Sequence, residues 1–255
     1  MTLFFGVMIF LLGLVVGSFV NMAVWRVGHE ESFFKEKRSF CDYCKKKLNW
    51  YDNLPVLSWL IYRGKSRCCQ KKLSLSYPIV EMLTAILFLL NYIFANGNIY
   101  FLIINFFILG LLVFEIVFDF KYMMLPDATA IALIILALIR WIILGMPVDY
   151  LISVLVSGLF IFILHKIKIK GQEAMGDGDI LVAVFMGLFL GFPNIVVAFY
   201  LAFVVGAIVG GVLMLRKKIG RLSPIPFGPF LIFGTLVAFW WGEKIIKIFL
   251  DLLNS

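Results

Sequence analysis

The chain has 255 residues, of which 63% are hydrophobic and only 15% charged, with a formal net charge of +8. A mean hydropathy of +1.03 is far from that of a water-soluble domain and argues against nucleic acid as a partner despite the positive charge. The expected solvent is a bilayer.

A helix needs roughly 20 apolar residues to cross the hydrocarbon core. In chain order, stretches approaching that length lie at 3–25, 78–95, 100–119, 128–144, 150–166, 179–191, 194–215 and 227–248. The sixth is short, so it tilts or sits inside the bundle. The fold class expected is an all-α polytopic membrane protein of about eight transmembrane helices, with a small cytoplasmic cysteine-containing loop domain between the first two. The corresponding domains are a first helix (1–25), a basic loop domain (26–77) and a membrane-embedded remainder (78–255). The first segment has no basic residue before it and no small-residue cleavage site, and its basic residues follow it, so it reads as a retained helix rather than a signal peptide.

Charge orients the bundle. With the segment after the first helix placed in the cytoplasm, alternation puts 20 of the 23 Lys and Arg residues on that side, leaving only Arg140, Lys244 and Lys247 elsewhere. The positive-inside rule then places both termini outside the cytoplasm. The net charge is mostly topology, and it also suits anionic lipid headgroups.

Segment 26–77 carries 12 Lys or Arg against five Asp or Glu, and all four cysteines: Cys41, Cys44, Cys68 and Cys69. Cytoplasmic thiols stay reduced, so a CxxC followed by a second cysteine pair reads as a small structural zinc knuckle rather than a disulfide framework. The alternative is an unligated thiol at Cys68 or Cys69, since adjacent cysteines hold one tetrahedral ion less easily than a CxxC turn. His29 and His165 stand isolated and read as packing residues.

Carboxylates near membrane helices are costly to desolvate and are functional candidates by default. Asp119 closes the third span and Asp179 opens the sixth, at the end of Gly176-Asp177-Gly178-Asp179. Both fall on the cytoplasmic side in the topology drawn from positive charge alone. Two carboxyls brought together share a proton: one takes a proton from water attacking a peptide carbonyl, and the other donates to the carbonyl oxygen. Gly176 and Gly178 would let an extended substrate approach, or adopt backbone conformations closed to other residues. The plainer readings are a helix cap for Asp179 and a headgroup-level position for Asp119. Glu115, four residues before Asp119, is either a buried neighbour that tunes the site or a partner for another helix. Asp127, after Pro126, reads as a turn or cap residue.

These residues resemble the type IV prepilin peptidases, membrane aspartic proteases of the GxGD group that are usually also N-methyltransferases. The resemblance is carried in order by Gly17-Ser18-Phe19-Val20-Asn21 with Trp25-Arg26, by Trp50-Tyr51-Asp52-Asn53-Leu54-Pro55-Val56-Leu57-Ser58-Trp59-Leu60, and by Tyr77-Pro78-Ile79-Val80-Glu81. It continues with Asp119 and Leu125-Pro126-Asp127, then Gly176 to Asp179, then Pro226-Phe227-Gly228-Pro229-Phe230. It implies that Asp119 and Asp179 are the catalytic pair, that the substrate is a prepilin or pseudopilin with a short basic leader ahead of an apolar helix, and that S-adenosylmethionine is the methyl donor. It also implies a bacterial inner-membrane location. Two departures stand out: the family's second cysteine pair is usually CxxC, which puts Ser66 where its first cysteine belongs, and Leu181 stands where the family commonly has a lysine. The competing class is a transporter or ion pathway in which Asp119, Asp179 and Glu115 carry protons or cations.

Overall fold

The computed structural model describes residues 2–31, 40–41, 43–95, 97–169, 172–173, 175–216 and 225–253. The basic residues Lys35, Lys37, Arg38, Lys170, Lys217, Lys218 and Arg221, which entered the charge count, lie outside the described residues. Nine helices are present among the described residues: α1 (Thr2–Gly28), α2 (Leu57–Ile61), α3 (Ser76–Phe94), α4 (Ile99–Tyr122), α5 (Asp127–Ile143), α6 (Val148–Lys166), α7 (Asp177–Leu190), α8 (Asn194–Leu215) and α9 (Gly228–Leu253). A 3-10 turn covers Trp50–Asn53, and a two-residue antiparallel ladder pairs Lys168–Ile169 with Gln172–Glu173.

Every long helix overlaps one of the expected apolar stretches. Five of them (α1, α3, α4, α6 and α8) are long and apolar enough to cross a membrane. At 1.5 Å per residue, the 14 residues of α7 reach only about 21 Å against a hydrocarbon core of about 30 Å. Helix α9 is diluted by Trp240, Trp241, Glu243 and Lys244. Large apolar side chains point outward along the helices, among them Leu3, Phe4, Leu155 and Leu159. That pattern suits hydrocarbon as the surrounding medium.

The chain divides into two compact units, Met1–Val117 and Phe118–Ser255. In unit 1, α1 packs on α3 through Gly13 and Gly17, one turn apart. A Cβ on Gly13 would stand 2.5 Å from Ala85 Cα, and one on Gly17 2.6 Å from Glu81 Cα. Helices in lipid gain little from burying apolar surface against one another, so close backbone approach through small residues supplies the dispersion contact instead. Asn105 Nδ2 donates to Asn91 Oδ1 (3.1 Å), and Asn91 Nδ2 donates to the Leu102 carbonyl (3.1 Å), tying α3 to α4.

Unit 2 is built around α7. Its buried residues run almost without a break from Val182 to Leu190, and it packs against α5, α6, α8 and α9. The short sixth segment therefore sits inside the bundle. Gly187 meets α6 so closely that a Cβ would lie 2.6 Å from Ser157 Oγ, and that hydroxyl donates to the Ala183 carbonyl at 2.8 Å. Arg140, outside the basic side in the charge count, serves the bundle locally: its guanidinium donates to the Phe189 carbonyl (2.9 Å) in the last turn of α7. It also sits over the rings of Phe189 and Phe239. A cation at a helix C-terminus meets exposed carbonyls and the negative end of the dipole.

Candidate active site

Three helix ends of unit 2 meet around one leucine. Helix α4 stops where Met123 takes a left-handed backbone (φ 53°), its N–H donating to the Asp119 carbonyl at 2.8 Å. The turn that follows delivers Leu125 to the start of α7 and the start of α9. A Cβ on Gly178 would lie 2.8 Å from Leu125 Cβ, and one on Gly228 would lie 3.2 Å from Leu125 Cδ2. At Gly178 the neighbour is the Leu125 Cβ, next to the main chain, so closure there needs glycine; at Gly228 the neighbours are side-chain ends.

The carboxylates follow from this closure. Asp119, in the last turn of α4, is 4% exposed, and Asp179, in the first turn of α7, is 7% exposed. Asp119 Oδ2 accepts the Gly228 N–H at 3.1 Å, and Asp179 Oδ2 accepts the Gly176 N–H at 3.0 Å. Each acid thus has one oxygen fixed by a glycine amide, and the two are near enough to interact electrostatically. The capping reading of Asp179 is accommodated: its bond back to Gly176 closes the first turn of α7 through one oxygen. The glycines differ from expectation in detail. Neither Gly176 nor Gly178 adopts a left-handed backbone, and at Gly176 a Cβ would make only an ordinary 3.6 Å contact with Asp179. Space requires Gly178; Gly176 contributes its amide.

Two further residues hold this arrangement. Gly228 carries the amide that fixes Asp119, and its place in Pro226-Phe227-Gly228-Pro229-Phe230 was the only sequence signal for it. His165, at the end of α6, is buried; its Nδ1 lies 2.9 Å from the Met175 carbonyl and its Nε2 3.5 Å from Asp177 Oδ1. It braces the loop that delivers Asp179, a role that its isolation in sequence concealed. Glu115 is fully buried on α4. Asp127 starts α5 after Pro126, as a turn residue should.

In unit 1 the four cysteines come together, all sulfurs within 4.8 Å of one another and all as free thiols. They sit on two loops of matching backbone pattern. In the first, Cys41 N–H donates to Lys46 O and Lys45 N–H to Cys41 O, with Phe40 bridged to Lys47; in the second, Ser66 N–H donates to Lys71 O and Gln70 N–H to Ser66 O, with Lys65 bridged to Lys72. Ser66 therefore occupies the place of Cys41, and Cys69 that of Cys44. Cys68 reaches the cluster from inside the turn, with its Sγ 3.0 Å from Cys44 Sγ and 3.1 Å from Ser66 Oγ. Cys41 and Cys69 sulfurs are 3.7 Å apart, close to the edge of about 3.8 Å for a tetrahedral site with zinc–sulfur bonds of about 2.3 Å. The donor set fits zinc. Burial works against ionisation of Cys41, but hydrogen bonds from Ser66 and from the amides of Cys44 and Tyr43 outweigh it and bring the thiol down to about 6. The adjacent Cys68 thiol pushes Cys44 up to about 11.

Comparison with known proteins covers the same ground. Residues 11–95 match the family model described as the bacterial peptidase A24 N-terminal domain, and residues 106–211 match that of the type IV leader peptidase family. Similar curated proteins each carry the name prepilin leader peptidase/N-methyltransferase. That of Xanthomonas campestris pv. campestris is 28% identical, covering 94% of this chain and 92% of its own length. That of Bacillus subtilis (strain 168) is 28% identical, covering 96% and 97%. That of Myxococcus xanthus (strain DK1622) is 33% identical, covering 86% and 66%. No solved structure matches. With two models of one peptidase group matched in order and relatives aligned over nearly its whole length, the chain belongs to the type IV leader peptidase family.

Proposed function

We propose that this chain is a membrane aspartic endopeptidase that removes the short basic leader of type IV prepilins or pseudopilins and then methylates the new N-terminus. The observation that carries the peptidase reading is the pair of buried carboxyls, Asp119 and Asp179, each steadied by a glycine amide. In this reading one carboxylate accepts a proton from water as the oxygen attacks the scissile carbonyl. The other, protonated, donates to the carbonyl oxygen, and the proton gained from water is passed to the leaving amine. The amides of Gly176 and Gly228 fix the carboxyl planes, so little reorganisation is needed as charge moves. The substrate's apolar helix lies in the bilayer and its basic leader stays with the cytoplasm, which brings the bond between them to the membrane face. The ion-pathway alternative is not favoured, because both matched families are peptidase families.

Eight spans, both termini outside the cytoplasm, a bacterial inner-membrane location and lipid against the outward apolar faces complete the proposal. Cys41, Cys44, Cys68 and Cys69 hold a structural zinc that organises segment 26–77, too small to hold its shape by an apolar core alone. The methyl donor, S-adenosylmethionine, supplies when bound an electrophilic methyl on a sulfonium. Co-expression with a prepilin tests the peptidase reading. Asp119→Asn and Asp179→Asn should each leave the precursor uncleaved, with rates down by at least about 100-fold, and cleavage surviving either substitution would sink the assignment.

A further inference from the structure

Helix α2 is too apolar on its outer face for a loop in water. Leu57, Leu60 and Ile61, at the i, i+3 and i+4 positions of one face, are 56%, 57% and 67% exposed. The other face is occupied: Ser58, Trp59 and Tyr62 line a cavity together with Ser18, Phe19 and Met22 of α1. Trp50, in the 3-10 turn that packs on α2, is 78% exposed. Three neighbouring aliphatic side chains and a tryptophan, turned outward from a segment with 12 Lys or Arg, mark a surface that meets something other than water.

The fold fixes how deep α2 lies, and the depth identifies what it meets. Its start is pinned to α3, where Glu81 Oε2 accepts the Val56 N–H at 2.7 Å. Val56 has φ 61° and ψ −47°, the centre of a γ-turn closed by the Leu57 N–H on the Pro55 carbonyl. A β-branched residue holds such a backbone only where its surroundings impose it, so α2 has one place against α3 rather than a range of them. Glu81 lies five residues past the start of α3, about 8 Å along its axis. At that level α3 already turns Ile79 and Met82 outward. The cavity shared with α1 gives a similar depth: Phe19 comes nine residues before the end of α1 at Gly28, about 14 Å along the helix. The 27 residues of α1 extend about 40 Å, close to the thickness of a bilayer with its headgroups. Segment 54–61 therefore lies beside the ends of the membrane helices and not beyond them, at the boundary between headgroups and hydrocarbon.

Charge agrees with that depth. Exposed Arg63 and Lys65 follow α2 at once, and Lys71 and Lys72 come next, also exposed. Aliphatic side chains with a tryptophan and cations beside them suit the headgroup layer of an anionic leaflet. We propose that α2 is an interfacial anchor: Leu57, Leu60 and Ile61 insert into the cytoplasmic leaflet of the bilayer that α1 and α3 cross, with Trp50 at headgroup level and Arg63 and Lys65 on anionic headgroups. The anchor rests on the membrane reading under Proposed function and adds a lipid contact that no spanning helix makes. It holds the cysteine-bearing loop domain flat on the leaflet instead of free in the cytoplasm. The bond from Val56 to Glu81 then sets the depth of insertion.

The test uses the full chain in nanodiscs of phosphatidylcholine and phosphatidylglycerol in equal amounts. The photo-cross-linker p-benzoylphenylalanine is placed at Leu60, Ile61 or Leu155 one at a time, and its adducts are identified by mass spectrometry. Leu155, turned outward on α6, reports the membrane reading by itself. Lipid adducts are expected at all three. At Ile61 phosphatidylglycerol should exceed phosphatidylcholine by at least about threefold, and Arg63→Gln with Lys65→Gln should remove the excess. In a separate variant, Leu60→Ser with Ile61→Ser leaves the cavity side of α2 untouched. It should speed hydrogen exchange of the 57–62 amides at least about tenfold, while unchanged exchange in α3 reports that the fold survives. Lipid adducts at Leu155 but not at Leu60 or Ile61, or cross-links there to a second copy of the chain or to an added prepilin in place of lipid, overturn the anchor and leave the membrane reading intact. Absence of lipid adducts at all three overturns the membrane reading, and the anchor with it. Unchanged exchange of the 57–62 amides in the double-serine variant would show the apolar face to be idle and equally refute the proposal, and adducts in the proportions of the mixture would refute the part given to Arg63 and Lys65.

Discussion

Gly228→Ala separates the position of a carboxylate from the stability of the fold. The glycine has no left-handed backbone to protect, so alanine is acceptable to the main chain at the start of α9. What it meets is Asp119 Oδ2 at 2.7 Å and the Leu125 methyls at 3.2 and 3.3 Å. These are far ends of flexible side chains, so the molecule yields by swinging the Asp119 carboxyl aside and stretching or breaking its bond from the Gly228 amide. A hydrogen bond to a charged acceptor contributes about 1.5–3 kcal/mol. At about 1.4 kcal/mol per factor of ten, kcat for leader cleavage should fall about 10- to 150-fold. The assay is steady-state cleavage of a purified prepilin in nanodiscs, with thermal unfolding followed in parallel and expected to shift by only a few degrees. Cleavage within about twofold of the parent would refute the claim that this amide positions Asp119. A collapse of thermal stability would refute the claim that only side-chain ends need to move.

His165→Ala should lower kcat for cleavage about tenfold by releasing the loop before Asp179, with KM for prepilin little changed and His165→Asn recovering part of the loss through its own hydrogen bond. Arg140→Met removes the cap on α7 and should lower stability by about 1–3 kcal/mol, read as a lower unfolding temperature in nanodiscs, whereas an unchanged midpoint would show that the cap is idle. Cys68→Ser should reduce bound zinc measured by mass spectrometry, and Ser66→Cys combined with Cys68→Ser should restore it by rebuilding two matching knuckles. Because Cys41 is brought down to about 6 and Cys44 pushed up to about 11, the metal-free loop near neutral pH carries a thiolate at Cys41 and a thiol at Cys44. Zinc must then expel the Cys44 proton, so apparent affinity should rise from pH 6 to pH 9 with proton release, and a flat profile would exclude Cys44 as a ligand. The two activities should also part with pH: a carboxyl pair needs its shared proton and loses cleavage on the alkaline side, while the new α-amine, with an ordinary pKa of about 7.7–8.0, becomes nucleophilic there.

What the sequence disclosed, and what it withheld, divides by the range of the forces involved. Apolar runs and the rarity of carboxylates within them are local facts, which is why the eight long helices and the pair Asp119 and Asp179 could be read directly. The reasons for Gly178 and Gly228 are not local. They lie in Leu125, a residue distant from both in sequence, and an approach between three helix ends leaves no pattern in any one of them. Arg140 was left without a role for the same cause: the Phe189 carbonyl that it caps lies 49 residues away in the chain. The cysteines were half legible. The resemblance already put Ser66 at the first cysteine position, and the paired backbone bridges at Phe40 with Lys47 and Lys65 with Lys72 agree; that Cys68 brings its sulfur to the cluster was visible only in the fold. The same limit explains why segment 50–60 could be recognised yet given no role. Its strain at Val56, and the Glu81 carboxylate that imposes it, exist only when α3 is folded beside it. A β-branched residue such as Val56 cannot announce a positive φ (61°) through its own propensity, which points the other way.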